Sequence, residues 1–436
     1  MNQAFAGEAD RIDTPQGVSA SDTPAAAGLA MKGTSRPLRV FITAAEVSGD
    51  RHAAQFIRSL KQLCPDVIVE GVGGPEMASA GAIVHRNTVT NAAMGIRGAL
   101  RAVEVYGLLR WTRTHFDTQK PDLWVGVDSP SMNFHFARAA KERGIPTLQF
   151  VAPQLWAWAS WRMAKLRRWV DQVACILPFE EAFFRGHSVN ATFVGHPLFD
   201  ELPAYRPSTR HDGQPGRPPV VGLLPGSRKG VADANFPRQL RVAAEILRRF
   251  PDARFKVPTT AATDPVVRRH IAVAKIPIEK LDVALGAFET LVPQCDLCIT
   301  VSGTATLHVA SFGVPMIVVY AGNRVIWNAL GRWLIKMRTY AMVNLLADED
   351  PLQPVTAGRE HLVPEFVPWY GPVTSVAELA IDLLTNRPRL NEQRQKLIKL
   401  VRHLDHPGAS DNVARMAMQM VQPTDAAAIS TSGRSL

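Results

Sequence analysis

The sequence predicts an α/β protein made of two doubly wound domains facing a cleft. Three observations carry that expectation. From residue 38 onward, short apolar runs alternate with helix-period segments, the rhythm of parallel strands covered by helices. The rhythm stops at a stretch dense in Pro, Gly, Ser and Arg, residues 205–218, and then begins again. Two small-residue turns, Leu224-Pro225-Gly226-Ser227-Arg228 and Ser302-Gly303-Thr304-Ala305, each follow an apolar run and lead into a helical segment. Such turns aim backbone N–H groups and the positive helix end at an anion. A length of 436 residues is ample for two ordinary cores.

Residues 1–36 are rich in Ala, Gly, Ser and Thr and lack a basic start followed by an apolar stretch. They are expected to be a disordered extension and not a signal peptide. The first domain is expected over 37–204, with strands at 39–44, 68–72, 123–127, 147–151 and 173–177. Each is an apolar run of the length a buried parallel strand needs. Within this domain, 94–111 mixes Met94, Ile96, Leu100, Val103, Val105, Leu108, Leu109 and Trp111 with Arg97, Arg101 and Arg110. That pattern fits either a helix covering a core or one lying on a membrane surface. Trp156, Trp158 and Trp161 stand just ahead of Arg162, Lys165, Arg167 and Arg168. An aromatic wall with a basic helix suits a phosphate or a lipid headgroup, and a solvated basic face looks the same in sequence.

The second domain is expected over 219–421, with 205–218 as the linker and 422–436 as a disordered tail. Its strands are placed at 220–224, 254–258, 297–301 and 316–320, and its helices at 238–249, 304–312 and 372–384. Further helices close the domain. Gly313, with Pro315 just beyond it, reads as a helix stop.

Composition narrows the class. Apolar residues make up 46% of the chain and no run approaches the roughly 20 residues of a membrane span. The formal net charge of +10 favours anionic partners. No helix-turn-helix, zinc-finger or aromatic-basic RNA signature accompanies it, so nucleic acid is not an expected partner. Four cysteines make no disulfide framework. Cys295 and Cys298 form a CxxC at the entry of an apolar strand, without the further ligands a zinc site requires, and read as buried small residues. No metal is expected.

Three places carry candidate chemistry. Ala45-Glu46-Val47-Ser48-Gly49-Asp50 follows the first strand without the GxGxxG fingerprint, so a nicotinamide cofactor is not expected. It sets Glu46 and Ser48 at the carboxyl edge of the sheet, where Ser48 and Asp50 could equally serve as helix caps. Asp128 ends the run Leu123-Trp124-Val125-Gly126-Val127 and would face the cleft as a general base, or close an Asx-type turn. Arg228 offers a planar charged fork to phosphate.

In these residues the chain resembles the lipid-A-disaccharide synthase family, inverting glycosyltransferases of the two-domain, Rossmann-like GT-B fold. The resemblance spans residues 39–420. It rests on Glu46-Val47-Ser48-Gly49-Asp50, Gly71-Val72-Gly73-Gly74-Pro75-Glu76-Met77, Met94-Gly95-Ile96, Val127-Asp128-Ser129-Pro130 with Asn133, and Pro153-Gln154-Leu155-Trp156-Ala157-Trp158. Pro178-Phe179-Glu180, Val194-Gly195-His196-Pro197, the Gly226 and Gly303 turns, Asn344-Leu345-Leu346-Ala347 and Gly408-Ala409-Ser410 follow in family order. The resemblance implies transfer of a diacylglucosamine unit from a UDP-diacylglucosamine donor to a diacylglucosamine 1-phosphate acceptor, with UDP released. It implies a peripheral enzyme on the cytoplasmic side of an anionic inner-membrane surface, with no cofactor and no metal in the chemistry, and allows a homodimer. Carried over, Asp128 is the base with Glu46 and Ser48 beside it, and Arg228, Ser302, Gly303, Thr304, His308 and Asn344 hold the UDP end. The segment 94–111 corresponds to the membrane contact. Four departures from the family pattern stand out: Ser131 in place of a second Asp, Val231 in place of an acid, His308 in place of a Glu, and an insertion at 348–357. The architecture also fits a transferase or UDP-sugar epimerase with another substrate, and the departures fit a non-catalytic binding paralogue.

Overall fold

The computed structural model describes residues 36–88, 98–157, 159–201, 216–274, 276–321, 339–348, 352, 361–404 and 406–422. The expected N-terminal extension, most of the linker, the tail beyond Gln422, Met94 to Arg97, Trp158 and nearly all of the 348–357 insertion lie outside the described residues.

Strands β1 (Arg39–Ala44), β2 (Ile68–Gly73), β3 (Ile83–Asn87), β4 (Leu123–Val127), β5 (Thr147–Phe150), β6 (Gln172–Cys175) and β7 (Ala191–Phe193) form the first sheet. Their spatial order is β3-β2-β1-β4-β5-β6-β7, and every neighbouring pair is parallel. The second sheet holds β8 (Val220–Leu224), β9 (Arg254–Thr259), β10 (Leu281–Leu285), β11 (Leu297–Val301), β12 (Met316–Val319) and β13 (Glu365–Phe366). It is likewise parallel, in the order β10-β9-β8-β11-β12-β13. The central strands β4, β8 and β11 are buried at every position, because helices cover both faces of a parallel sheet.

Helices α1 (Val47–Leu63), α2 (Pro75–Ser79), α3 (Gly98–Gln119), α4 (Pro130–Lys141), α5 (Met163–Trp169) and α6 (Pro178–Gly186) accompany the first sheet, and α7 (Leu198–Glu201) packs Leu198 and Phe199 into the core of the second. Around the second run α8 (Lys229–Arg249), α9 (Asp264–Ala272), α10 (Phe288–Leu291), α11 (Ala305–Ser311), α12 (Met342–Ala347), α13 (Val373–Thr385) and α14 (Arg387–Leu404). The last helix among the described residues, α15 (Ala409–Val421), leaves the second sheet and packs along α1 on the first. Asp200 of α7 secures it: its carboxylate accepts the backbone N–H groups of Gly408 (2.7 Å), Ala409 (3.0 Å) and Ser410 (2.8 Å).

Each sheet reverses its strand order once, between β1 and β4 and between β8 and β11. At such a switch point the two connections run in opposite directions and leave a crevice beyond the carboxyl ends of the strands. Glu46 and Ser48 follow β1, Asp128 follows β4, Arg228 follows β8 and Ser302 follows β11. All the strand-end candidates thus converge on the two crevices.

Some boundaries differ from the sequence expectation. Helix α8 starts at Lys229 and carries Pro237 in its interior, with buried Phe236 and Leu240 holding it to the core. Strands β3, β7, β10 and β13 are additional; all four form outer edges, and β3 and β10 hold no buried residue, so their mixed polarity gives no apolar run. Cys295 and Cys298 are free, buried thiols packed on β8, where a Cβ on Gly222 would meet their sulfurs at 3.2 and 2.6 Å.

Candidate active site

The first wall of the cleft is built where β1 and β4 end. Glu46 is the N-cap of α1, and Gly49 lets this helix approach β4: a Cβ there would lie 3.2 Å from the Val127 carbonyl oxygen. Ser48 Oγ donates to Asp128 Oδ2 at 3.2 Å. Asp50 is buried and points elsewhere, accepting the N–H groups of Gly74 (2.9 Å), Glu76 (3.0 Å) and Met77 (3.1 Å) at the start of α2. The acid of the Ser-Gly-Asp run therefore anchors the neighbouring helix.

Asp128 and Ser129 have φ of +53° and +41°, in the left-handed region that side chains disfavour. The surroundings hold them there. Ser129 N–H donates to Asp128 Oδ1 at 2.7 Å, and the Asp128 carbonyl accepts Asn133 Nδ2 (2.7 Å) and Gln149 Nε2 (3.2 Å). Asn133 Oδ1 in turn accepts Thr43 Oγ1 at 2.8 Å, which ties the turn to β1. Backbone strain maintained this way is a mark of functional sites. Oδ1 takes the N–H of the very next residue, one short of the Asx-type turn expected, while Oδ2 meets Ser48. Burial, reinforced by the Glu46 charge, raises the Asp128 pKa, against the opposing pull of Ser129 N–H, Ser48 and Arg228. A carboxylate kept more basic than usual at a cleft is suited to taking a proton.

The second wall is built where β8 and β11 end. Gly226 has φ +102°, and a Cβ there would press on Val301 and Val231 at 3.0 and 3.1 Å. Only glycine makes this turn, and it delivers Arg228 to the N-cap of α8. Arg228 Nη2 lies 2.6 Å from Glu46 Oε2, so the two walls meet in an ion pair that spans the cleft. Gly303 has φ +137°, and Thr304 is the exposed N-cap of α11. Ser302 Oγ donates to the Tyr340 carbonyl at 2.5 Å, so its hydroxyl steadies the approach to α12.

His308 lies one turn into α11, between Phe288 and Phe312, with ring centroids 4.5 and 5.3 Å away. Burial, aided by the Arg51 charge across the cleft, lowers its pKa to about 4, and its buried Nε2 has no hydrogen-bond partner. The imidazole is therefore neutral over the physiological range.

Two sequence expectations need correction. Asn344 does not turn its amide to the cleft. Its Nδ2 donates to the Val363 carbonyl (2.8 Å) and Glu365 Oε1 (2.6 Å), and its Oδ1 accepts Val363 N–H (2.8 Å). With donors and acceptor engaged, its side chain fixes α12 to β13 and is not free to grip a nucleotide. Trp156 is buried and not an open wall: its Nε1 donates to Glu180 Oε1 at 3.0 Å, and it packs with Leu177 and Leu345, which joins the two halves. Burial raises the Glu180 pKa to about 7 despite the bonds from Trp156, Leu177 and Ile176. Trp161, by contrast, is exposed beside exposed Lys165, Arg167 and Arg168. In α3, Leu108, Leu109 and Trp111 pack partly buried on the first core, while Tyr106 is exposed.

Gln149, buried beside the Asp128 turn, is a positioning residue that the sequence does not single out. Its Nε2 also donates to the Phe150 and Val151 carbonyls, each at 3.2 Å, and so fixes the end of β5 beside Asp128. A lone amide inside an apolar strand was its one signal.

Two parallel doubly wound sheets, their switch points bridged by an ion pair, with a carboxylate at one and two glycine turns at the other, have the architecture of a GT-B glycosyltransferase. The chain belongs to the lipid-A-disaccharide synthetase family, whose model matches residues 40–366. It is 31% identical over 393 residues to a lipid-A-disaccharide synthase of Nitrosococcus oceani, covering 89% of this chain and 97% of that protein. A lipid-A-disaccharide synthase of Geobacter metallireducens is 30% identical over 397 residues, covering 89% and 99%. Among solved structures, UDP-GlcNAc 2-epimerase from Neisseria meningitidis bound to UDP-GlcNAc superposes with a TM-score of 0.56 at 12% identity, over 88% of this chain and 99% of the other. MurG of Acinetobacter baumannii gives 0.52 at 14%, over 88% and 100%. Identities that low speak for the shared fold alone.

Proposed function

We propose that this chain is a lipid-A-disaccharide synthase: it transfers a diacylglucosamine unit from UDP-diacylglucosamine to the 6-hydroxyl of diacylglucosamine 1-phosphate. The observation that carries the reading is the Ser48–Asp128 pair set opposite Arg228 across the cleft, with Glu46 between them. Asp128 Oδ2 takes the acceptor hydroxyl proton as that oxygen attacks the sugar's anomeric carbon. The bond from that carbon to the phosphate oxygen breaks, and its electron pair leaves with UDP. Attack from the face opposite the leaving group inverts the anomeric centre. Arg228 and the backbone N–H groups of the Gly226 and Gly303 turns receive the diphosphate charge. Neutral His308 can offer one acceptor to a ribose hydroxyl where a carboxylate would offer more.

The exposed Trp161, Lys165, Arg167 and Arg168 of the α5 region support docking on an anionic membrane surface. The packing of Leu108 and Leu109 leaves the outer side of α3 a smaller share in that contact. The decisive experiment incubates purified protein with both monosaccharide substrates and weighs the product. A disaccharide formed with one UDP released per bond supports the reading. An epimerised sugar, or UDP-sugar bound and left intact in the presence of acceptor, overturns it.

A further inference from the structure

Outside the cleft, three potential ligands from separate elements meet at one point. Glu70 of β2 lies with its Oε2 3.1 Å from His85 Nε2 on β3 and 3.1 Å from His115 Nε2 on α3. The three ligand atoms lie within 4.8 Å of one another. We propose that Glu70, His85 and His115 form a binding site for a divalent transition metal of the zinc class, fixing α3 to the edge of the first sheet.

The geometry and the donor set agree. A tetrahedral zinc ion with ligands at about 2.0–2.1 Å sets neighbouring ligand atoms roughly 3.3–3.4 Å apart. Both Glu70-to-histidine edges are already close to that length, and small side-chain rotations close the third. Two imidazoles and a carboxylate suit a borderline metal and not calcium or magnesium.

The surroundings also fit. His115 Nε2 is buried and, although close to Glu70, lies off hydrogen-bonding geometry and has no hydrogen-bond partner. Arg39 Nη2 donates to the other carboxylate oxygen, Glu70 Oε1, at 3.0 Å and also to Gln119 Oε1 at 3.0 Å. Oε2 then faces the two histidines and bonds His85 Nε2 at 3.1 Å, an edge that a shared metal would take over; holding the carboxylate in this way is the usual work of an outer-shell partner. Trp111 stacks on His115 at 5.0 Å and sets the plane of the ring. His85 is 27% exposed, which gives an entry path and a fourth position for water. The Arg39 charge opposes a cation and so works against very tight binding. The site shares no residue with the cleft, so the metal fastens the fold and takes no part in glycosyl transfer.

The test uses untagged protein stripped with a chelator. It is then equilibrated with zinc against a chromophoric competitor, and separately with cobalt. One equivalent of zinc per chain and a visible cobalt ligand-field band are expected. Both should fall away in His85→Asn and His115→Gln, with zinc affinity at least tenfold weaker, while His187→Gln, at an exposed helix end, behaves as the parent. His85→Asn is the primary variant because that residue is partly exposed, and circular dichroism checks its fold. Less than half an equivalent bound at micromolar zinc, or full binding retained by folded His85→Asn, overturns the proposal and leaves an ordinary buried carboxylate network.

Discussion

Asp128 carries a burden that an amide would not. Its burial disfavours the ionised form, while its left-handed backbone suits asparagine as well as aspartate. Because its folded pKa is raised, the ionised carboxylate subtracts stability once the pH exceeds the ordinary carboxylate pKa of about 3.9. Asp128→Asn should therefore melt no lower than the parent at neutral pH while turnover falls roughly 10²–10⁴-fold. Calorimetric melting and single-turnover rates together check this; a normal rate returns Asp128 to a purely structural turn. The neighbours shift the same proton in opposite directions. Glu46→Gln removes a charge that raises the Asp128 pKa, so the acid limb of kcat/KM should move to lower pH. Arg228→Ala removes a charge that lowers it, so the limb should move up. Arg228→Ala should also weaken UDP at least tenfold, since a charge-assisted hydrogen bond contributes roughly 1.5–3 kcal/mol. Glu46→Gln, which frees Arg228 from its partner, should not weaken UDP. Titration calorimetry and pH–rate profiles separate these outcomes. With the His308 pKa near 4, UDP affinity should stay flat from pH 8 to pH 6 as far as this ring is concerned. A parent slope in that window that His308→Gln abolishes would show the ring titrating after all. At this scale the sequence revealed which side chains stand at strand ends, because strand ends are visible as breaks in apolar runs. It could not reveal that Asn344 is consumed by Val363 and Glu365, residues about twenty positions away with no periodic relation to it.

At the scale of elements, a short polar contact decides where a whole helix lies. Asp200 accepts three N–H groups at the start of α15, from more than two hundred residues away in sequence. Asp200→Ala should lower unfolding stability by about 0.5–2 kcal/mol, the range for lost helix caps. Denaturant titration measures it, and a change below about 0.3 kcal/mol would mean water replaces the carboxylate. The central strands were legible because burial on both faces turns them into continuous apolar runs. Edge strands β3 and β10 were not, because one-sided burial mixes their composition. Helix α8 extends nine residues ahead of the expected start at 238, because the packing of Phe236 and Leu240 outweighs the one backbone hydrogen bond that Pro237 forbids.

At the scale of the whole molecule, a net charge of +10 and the exposed basic α5 region predict attraction to anionic surfaces. Co-sedimentation with phosphatidylglycerol-containing vesicles should exceed that with neutral vesicles and decline as salt shortens the Debye length from about 10 Å toward 3 Å. Salt-independent sedimentation would point to apolar insertion as the main force. Besides the Arg228–Glu46 ion pair, packed contacts join the two halves, among them Trp156 and Leu177 against Leu345 and, second, α15 lying along α1. The α15 joint makes the first half depend on residues more than two hundred positions further along the chain. As the chain leaves the ribosome, β1 to β7 are complete some two hundred residues before α15 emerges. Until then the side of α1 that α15 covers, and the carboxylate of Asp200, face water. The nascent first half must wait, unfinished and with apolar surface open, for the whole second half to be made. A chain cut short at Gly408 should therefore have lost the closing piece of its N-terminal domain and not merely a loose C-terminal end.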